Sequence, residues 1–109
     1  MPVKLSAAVL GVIAAVVLAP AAHADADQFH RDMEAEGFSH DDGDEGLLRF
    51  GNTLCAHMDQ GWPIEDIVAN DLMTMVQLNA YQKSRFFDLA VMDLCPQNTE
   101  RLHTWLNGG

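Results

Sequence analysis

The sequence predicts an all-α domain, a small orthogonal bundle of four or five helices, joined by one disulfide and preceded by a cleaved signal peptide. Three observations support this prediction. Beyond residue 24, apolar residues recur at the helical spacings of three and four, and strand-like alternation is hard to find. The first 24 residues have the composition of an export signal. Cysteine occurs only at Cys55 and Cys95, which allows a single pairing within the chain.

Residues 1–24 are interpreted as a signal peptide and residues 25–109 as one domain. Lys4 supplies a positive start, an apolar run without charges extends to Leu18, and the small residues around Ala24 form a cleavage site. An uncleaved membrane anchor is the alternative, because the uncharged stretch approaches the length of a spanning helix. We expect cleavage, no membrane span in the mature chain, and a protein that is secreted or held in the cell envelope.

The charge balance narrows the classes of partner. Without residues 1–24 the chain keeps 16 acidic and 5 basic side chains, a net charge of −11 over 85 residues. This balance argues against nucleic-acid binding through a basic patch and against electrostatic adhesion to anionic lipid surfaces. The acidity is uneven, since residues 25–45 carry a net charge of −8 and the rest of the domain only −3.

Apolar periodicity and end signals place the first three helices. The first is predicted over about 27–36, where Gly37 supplies a left-handed end, and the second over about 45–60. A shorter third helix opens at Pro63 and extends to about Leu72. Beyond it the helix either continues or the chain turns before the next helix begins.

The fourth helix is predicted as the longest, over about 81–95. Asn79 and Gln82 fit a capping box at its start, and Pro96 ends it. A last turn or two over 98–106 is expected to present apolar residues to the core. These residues are Leu102, Trp105 and Leu106.

Cys55 lies on the apolar stripe of the second helix, and Cys95 lies at the end of the fourth. Outside the cytosol such a pair is usually a disulfide, which here would close a loop of about 40 residues and contribute roughly 4 kcal/mol in the chain-entropy treatment. A free thiol pair and an intermolecular bridge are the alternatives. Gly51 on the same stripe predicts a close approach by another helix.

The order of these features resembles a known family. The residues that carry the resemblance are Asp27-x-Phe29, Gly37-Phe38, Gly51-x-x-x-Cys55 followed by Gly61, and Ala90-x-x-x-Leu94-Cys95-Pro96. Together with the export signal, they are similar to the small secreted actinobacterial domain of unknown function numbered 732, over about residues 25–97. The resemblance implies an exported, compact helical domain with paired cysteines. It brings no activity and no catalytic residues.

No motif for catalysis or for a cofactor stands out. The histidines lack zinc-site spacing. The acidic connector over 39–46 fails the calcium-loop pattern, because Gly43 falls where a ligand is required. His40 beside Asp41 and Asp42 is the best local metal candidate and is interpreted as a solvated loop. We therefore predict no cofactor, no metal and no catalytic residues, and keep an enzyme only as a third hypothesis.

Two groups of residues are candidates for an interaction surface. The acidic group is Asp41, Asp42, Asp44 and Glu45, and the apolar group is Trp62, Met73 and Met75, with Leu78 nearby. The plainer interpretations are a solvated face that maintains solubility and ordinary core packing. Methionine and aromatic residues in an irregular segment are also suited to an adaptable groove.

Two main functional hypotheses follow. The first is an exported, non-enzymatic binding or interaction module of the cell envelope or extracellular space, which presents its acidic face or its Met-lined groove to an envelope or host protein. The second is a carrier of an apolar small molecule or lipid between the helices, which calls for a cavity of at least about 300 Å³.

Overall fold

The computed structural model describes residues 25–108, and the predicted signal peptide lies outside them. Within this part the chain forms five α-helices and two short 3-10 turns, and it contains no β-strand. The helices are α1 (Ala26–Glu36), α2 (Gly43–Asp59), α3 (Ile64–Asn70), α4 (Ala80–Leu94) and α5 (Thr99–Leu106). The prediction of an all-α bundle is confirmed, with five helices.

Local side-chain and backbone bonds fix both ends of α1. The Asp25 carboxylate accepts a hydrogen bond from the Gln28 amide at 2.9 Å, which satisfies one of the free N–H groups of the first turn. At the other end Gly37 adopts φ +78°, and the Phe38 amide donates to the Met33 carbonyl at 3.0 Å. The predicted left-handed helix end is therefore confirmed, and it turns Phe38 back into the core.

Helix α2 begins at Gly43, two residues before the predicted start. The predicted connector over 39–46 is thus too long, because its last four residues are helical. Asp44 and Glu45 lie in the first turn, where carboxylates interact favourably with the positive end of the helix dipole. The acidic residues that suggested a loop are therefore compatible with a helix start.

Helix α3 ends at Asn70 rather than at the predicted Leu72, and a 3-10 turn follows over Leu72–Thr74. Asp71 explains the change, because its carbonyl accepts from the amide and the hydroxyl of Thr74, at 3.2 and 2.7 Å. Its carboxylate lies 2.5 Å from Nδ1 of His57 on α2. The sequence allowed either a continued helix or a turn beyond Leu72, and the structure shows the turn.

The predicted capping box at the start of α4 is confirmed. The Gln82 amide donates to the Asn79 side chain and the Asn79 amide donates to the Gln82 side chain, both at 2.8 Å. Helix α4 ends at Leu94, and a 3-10 turn at Pro96–Asn98 redirects the chain into α5. Proline starts that turn because its missing N–H removes no bond there.

The core lies mainly between α1, α2 and α4. Its largest fully buried side chains include Phe29, Met33, Leu47, Leu54, Phe86, Phe87 and Val91. Gly51 permits the close approach that the sequence predicted, since a Cβ there would lie 2.7 Å from Leu94 Cδ1 and 3.1 Å from the Phe29 ring. The predicted disulfide between Cys55 and Cys95 is confirmed, with a Cα–Cα distance of 5.8 Å, and it joins α2 to the end of α4.

Polar bonds hold α5 against the other helices. The Arg101 guanidinium donates to the Met58 carbonyl at 3.0 Å and to the Trp62 carbonyl, which satisfies acceptors at and beyond the end of α2. His103 Nε2 lies 2.7 Å from the Asp88 carboxylate on α4. Among residues 25–108, no helix has the length and apolar character that crossing a bilayer requires.

Candidate ligand-binding groove

A surface groove of about 350 Å³ lies where α3, the 3-10 turn after it, the first half of α4 and the end of α5 meet. Its lining residues are Val68, Leu72, Met73, Ala80, Lys83, Ser84, Phe87, Trp105 and Leu106. Residues from three segments, 68–73, 80–87 and 105–106, therefore form one depression. The groove exists because α5 folds back after the 3-10 turn that Pro96 begins.

The floor and the rim of the groove differ in exposure. Leu72 and Phe87 are buried and belong to the core, whereas Met73 at the rim is 56% exposed and Leu106 is 38% exposed. Trp105 is half-buried between them. Exposed apolar side chains around a concave apolar floor are typical of a binding surface rather than of a closed hydrophobic core.

Lys83 is the only ionisable residue of the groove lining. Its Nζ lies 4.0 Å from the Met73 sulfur, and the lysine takes no part in the ion pairs found among the described residues. Lys83 is half-buried, and its ammonium group lies beside exposed Met73 at the rim, as is usual for a lysine whose stem packs on apolar surface. The groove therefore combines an apolar interior with one unpaired positive charge.

The predicted apolar group does not form one surface. Met73 lines the groove, whereas Met75 and Leu78 line a separate pocket of about 130 Å³. Trp62 stacks on the His57 ring with a centroid distance of 3.7 Å and an interplanar angle of 8°. This stacking, with the 2.5 Å contact between His57 and Asp71, gives Trp62 a structural role between α2 and α3.

The acidic group is exposed, and one of its four carboxylates already forms an ion pair. Its members Asp41, Asp42, Asp44 and Glu45 are all exposed. Asp42 pairs with Arg49 at 2.9 Å, and the Asp42 amide donates to His40 Nδ1 at the same distance. Over the described residues, no cluster of three or more His, Cys, Asp or Glu side chains is arranged to hold a metal ion.

Sequence reasoning missed several residues of the groove. Ala80, Lys83, Ser84 and Phe87 recur at the spacings of one helical face, a signal that the mixed polarity of the stripe obscures. Of the three residues expected to face the core, Leu102 is fully buried, Trp105 is partly buried and packs against the core, and Leu106 is exposed. The end of α5 instead forms a wall of the groove.

Comparison with known proteins gives a family match. A family model described as a protein of unknown function (DUF732) matches residues 24–97. No curated protein and no solved structure matches the chain. The matched segment contains α1 to α4 and both cysteines, but it ends before the residues of α5 that complete the groove.

Proposed function

The chain belongs to the DUF732 family of proteins of unknown function, and we propose that it is an exported, non-enzymatic binding module. Its proposed ligand is an acidic amphiphile, a molecule with one apolar arm and one carboxylate or phosphate group. The arm lies in the groove between α3, α4 and α5, and the acid group meets Lys83. The unpaired ammonium at the rim of an otherwise apolar groove carries this proposal.

The size and composition of the groove support an apolar ligand arm. Its volume of about 350 Å³ is near the lower end of the range for small-molecule pockets. Each Å² of apolar surface removed from water contributes roughly 25 cal/mol, so covering Met73 and Leu106 favours binding. The groove lies at the surface and is partly open to solvent. This position suits reversible binding better than carriage inside the bundle.

The charge distribution supports an acidic head group. The mature chain has a net charge of −11, so most of its surface repels anions. Lys83 offers an anion one favourable contact beside the apolar lining, without competition from an existing ion pair. Acidic amphiphiles are therefore favoured over basic ones at this groove.

Calorimetric titration with dodecanoate, kept below its micelle-forming concentration, tests the proposal on the chain 25–109. We expect saturable binding at one site, and weaker binding of dodecylammonium because its charge repels Lys83. Lys83→Ala should weaken dodecanoate binding about fivefold, the effect of a solvent-exposed ion pair worth about 1 kcal/mol. Equal affinity for the two amphiphiles would refute the role of Lys83.

Met73→Asp and Met92→Asp form a matched pair of variants. Both residues are exposed methionines, but only Met73 lines the groove. An aspartate at 73 places a carboxylate beside Lys83, so we expect at least about a tenfold loss of dodecanoate affinity. Met92→Asp adds the same charge on α4 outside the groove and should leave affinity unchanged. Equal losses in both variants would mean that binding is nonspecific.

Crosslinking in the native envelope distinguishes the kinds of ligand. Photo-methionine at position 73 should yield an adduct with an acidic lipid or a smaller acidic amphiphile. A protein adduct in its place would reject this proposal in favour of a protein-binding groove. Mass spectrometry of the same exported material checks cleavage after Ala24, which requires a chain that begins at Asp25.

A further inference from the structure

The start of the domain contacts the end of α4 directly. The Asp25 main-chain nitrogen donates a hydrogen bond to the Asp93 carbonyl at 2.7 Å. Asp25 is the N-cap residue of α1, and Asp93 lies in the last turn of α4. The residue that follows the predicted cleavage site is therefore already positioned against another helix.

Carboxyl groups crowd this contact. Asp93 Oδ2 is buried and receives no hydrogen bond from a donor group among the described residues. Burial is the main cause that raises the pKa of Asp93 to about 7. The Asp32 carboxyl adds to the rise through a hydrogen bond and through charge repulsion, Asp25 adds further repulsion, and Arg31 opposes the change. The contact between α1 and α4 thus contains more negative charge than Arg31 compensates.

The end of α4 also lacks a basic residue. Its last turn contains none, although the free carbonyls there carry partial negative charge that a cation would stabilise. Asp93 adds a carboxylate at this negative end. One positive group placed beside the Asp93 carbonyl would therefore compensate both the carbonyl end and the carboxyl cluster.

We propose that removal of residues 1–24 supplies this positive group. Cleavage after Ala24 converts the neutral amide of Asp25 into an α-ammonium group, which keeps the hydrogen bond to the Asp93 carbonyl and adds a positive charge to the contact where the carboxyl groups of Asp25, Asp32 and Asp93 interact. Export processing thereby strengthens the contact between α1 and α4. This inference rests on the predicted cleavage site and not on the ligand-binding groove.

The charged groups on both helices determine the sign of the effect. On the side of α1, Arg31 and the positive end of the helix dipole oppose an ammonium group, while Asp25, Asp27 and Asp32 favour it. On the side of α4, Asp93 and the carbonyl end favour it. The balance is favourable, so folding raises the pKa of the α-amino group above its ordinary value. The added stability is present below that ordinary value and is lost as pH rises through the raised one.

Two chains that differ by one residue test the inference. One begins at Asp25 and the other at Ala24, which returns the Asp25 nitrogen to a neutral amide. Among residues 25–108, every core residue lies between Phe29 and Leu102, so both chains contain the whole described core. We expect the Asp25 chain to melt a few degrees higher at about pH 6.5, and the difference to vanish at about pH 9.5, where the α-amine is deprotonated. Equal melting temperatures at both pH values would overturn the inference.

Two further measurements separate this role from a general effect of chain length. Asp93→Asn should reduce the melting difference between the two chains by at least half, whereas Glu34→Gln, an exposed change on α1, should leave it intact. The rate of α-amine acetylation as a function of pH should place the pKa of this amine higher in the folded chain than in urea. An unshifted pKa contradicts the inference, as does an exported protein that begins at any residue other than Asp25.

Discussion

Two sides of the bundle differ in how completely they bury their apolar residues. The closed side, formed by α1, α2 and the second half of α4, contains Phe29, Met33 and Leu54, which are at most 1% exposed, and the disulfide. The open side, formed by α3, the following 3-10 turn, the first half of α4 and α5, leaves Met73 56% exposed and Leu106 38% exposed. Both sides share α4.

This difference in burial separates the apolar side chains that pack in the core from those that remain available to a ligand. The closed side contributes most of the largest fully buried side chains to a core that Ile67 of α3 and Leu102 of α5 also join. The short helices of the open side cannot cover their own apolar faces, so a groove remains beside Lys83. We therefore expect substitutions on the closed side to change stability and substitutions on the open side to change binding.

The largest expected effect comes from the disulfide of the closed side. Cys55→Ser should lower the free energy of unfolding by about 4 kcal/mol, because the unfolded chain gains the entropy of a loop with a sequence separation of 40. Chemical denaturation in oxidising buffer measures the loss. Reductant should have a similar effect on the wild-type chain and no further effect on the variant. Unchanged stability after both treatments would show that the disulfide contributes nothing.

A pair of methionines compares the two sides directly. Met33→Ala removes a side chain that is 1% exposed and should cost about 3 kcal/mol, through lost burial and the cavity left behind. Met73→Ala removes one that is 56% exposed and should change stability by less than about 0.5 kcal/mol. Urea denaturation of both variants provides the measurement. Similar losses would remove the distinction between a closed and an open side.

A pair of glycines on α2 tests packing density within the closed side. Gly51→Ala gains helix propensity, but its methyl group meets Leu94 and the buried Phe29 ring, so we expect a net loss of about 2 kcal/mol. At Gly46 the new methyl group would lie 2.4 Å from Nδ1 of the exposed His40 ring, so the ring must move and give up the hydrogen bond that it accepts from the Asp42 amide. The loss of this exposed bond, about 1 kcal/mol, is offset by the gain in helix propensity. Gly46→Ala should therefore be close to neutral. Thermal melts of the two variants give the comparison, and the reverse order would show that α2 packs differently.

The smallest expected effect concerns charge at the edge of the closed side. In the chain that begins at Ala24, the raised pKa of Asp93 means that the folded state binds more protons than the unfolded state between pH 3.8 and about 7. Stability therefore falls as pH rises through this window. Asp93→Asn should stabilise this chain by about 1 kcal/mol at pH 8, a magnitude reduced for solvent screening, and by almost nothing at pH 4. A benefit that is equal at the two pH values would exclude titration of Asp93 as the cause.

Local signals in the sequence predicted most of the secondary structure. The capping box of Asn79 and Gln82, the left-handed end at Gly37 and the stop at Pro96 act over a few residues, so they can be recognised without the fold. The start of α2 was predicted two residues late because acidic residues favour both a loop and a first helical turn. The end of α3 was missed because it depends on Asp71, whose carboxylate contacts His57 on another helix.

The candidate site was much less accessible to sequence reasoning. Of the apolar residues proposed as an interaction surface, only Met73 lines the groove. Lys83 on α4 and Trp105 on α5 line the same groove only because α5 folds back across α3 and α4. The export signal and the cleavage site lie outside the described residues and stay predictions.

Local features of the chain are enough to predict the helical class of this protein, the approximate limits of its helices and the pairing of its cysteines. Each of these depends on local periodicity, on capping residues or on there being only two cysteines. The position of Lys83 beside an apolar groove and the hydrogen bond from the Asp25 nitrogen to the Asp93 carbonyl become visible only in the folded chain. Both features join residues that are distant along the chain, and only the packing of the helices brings such residues together.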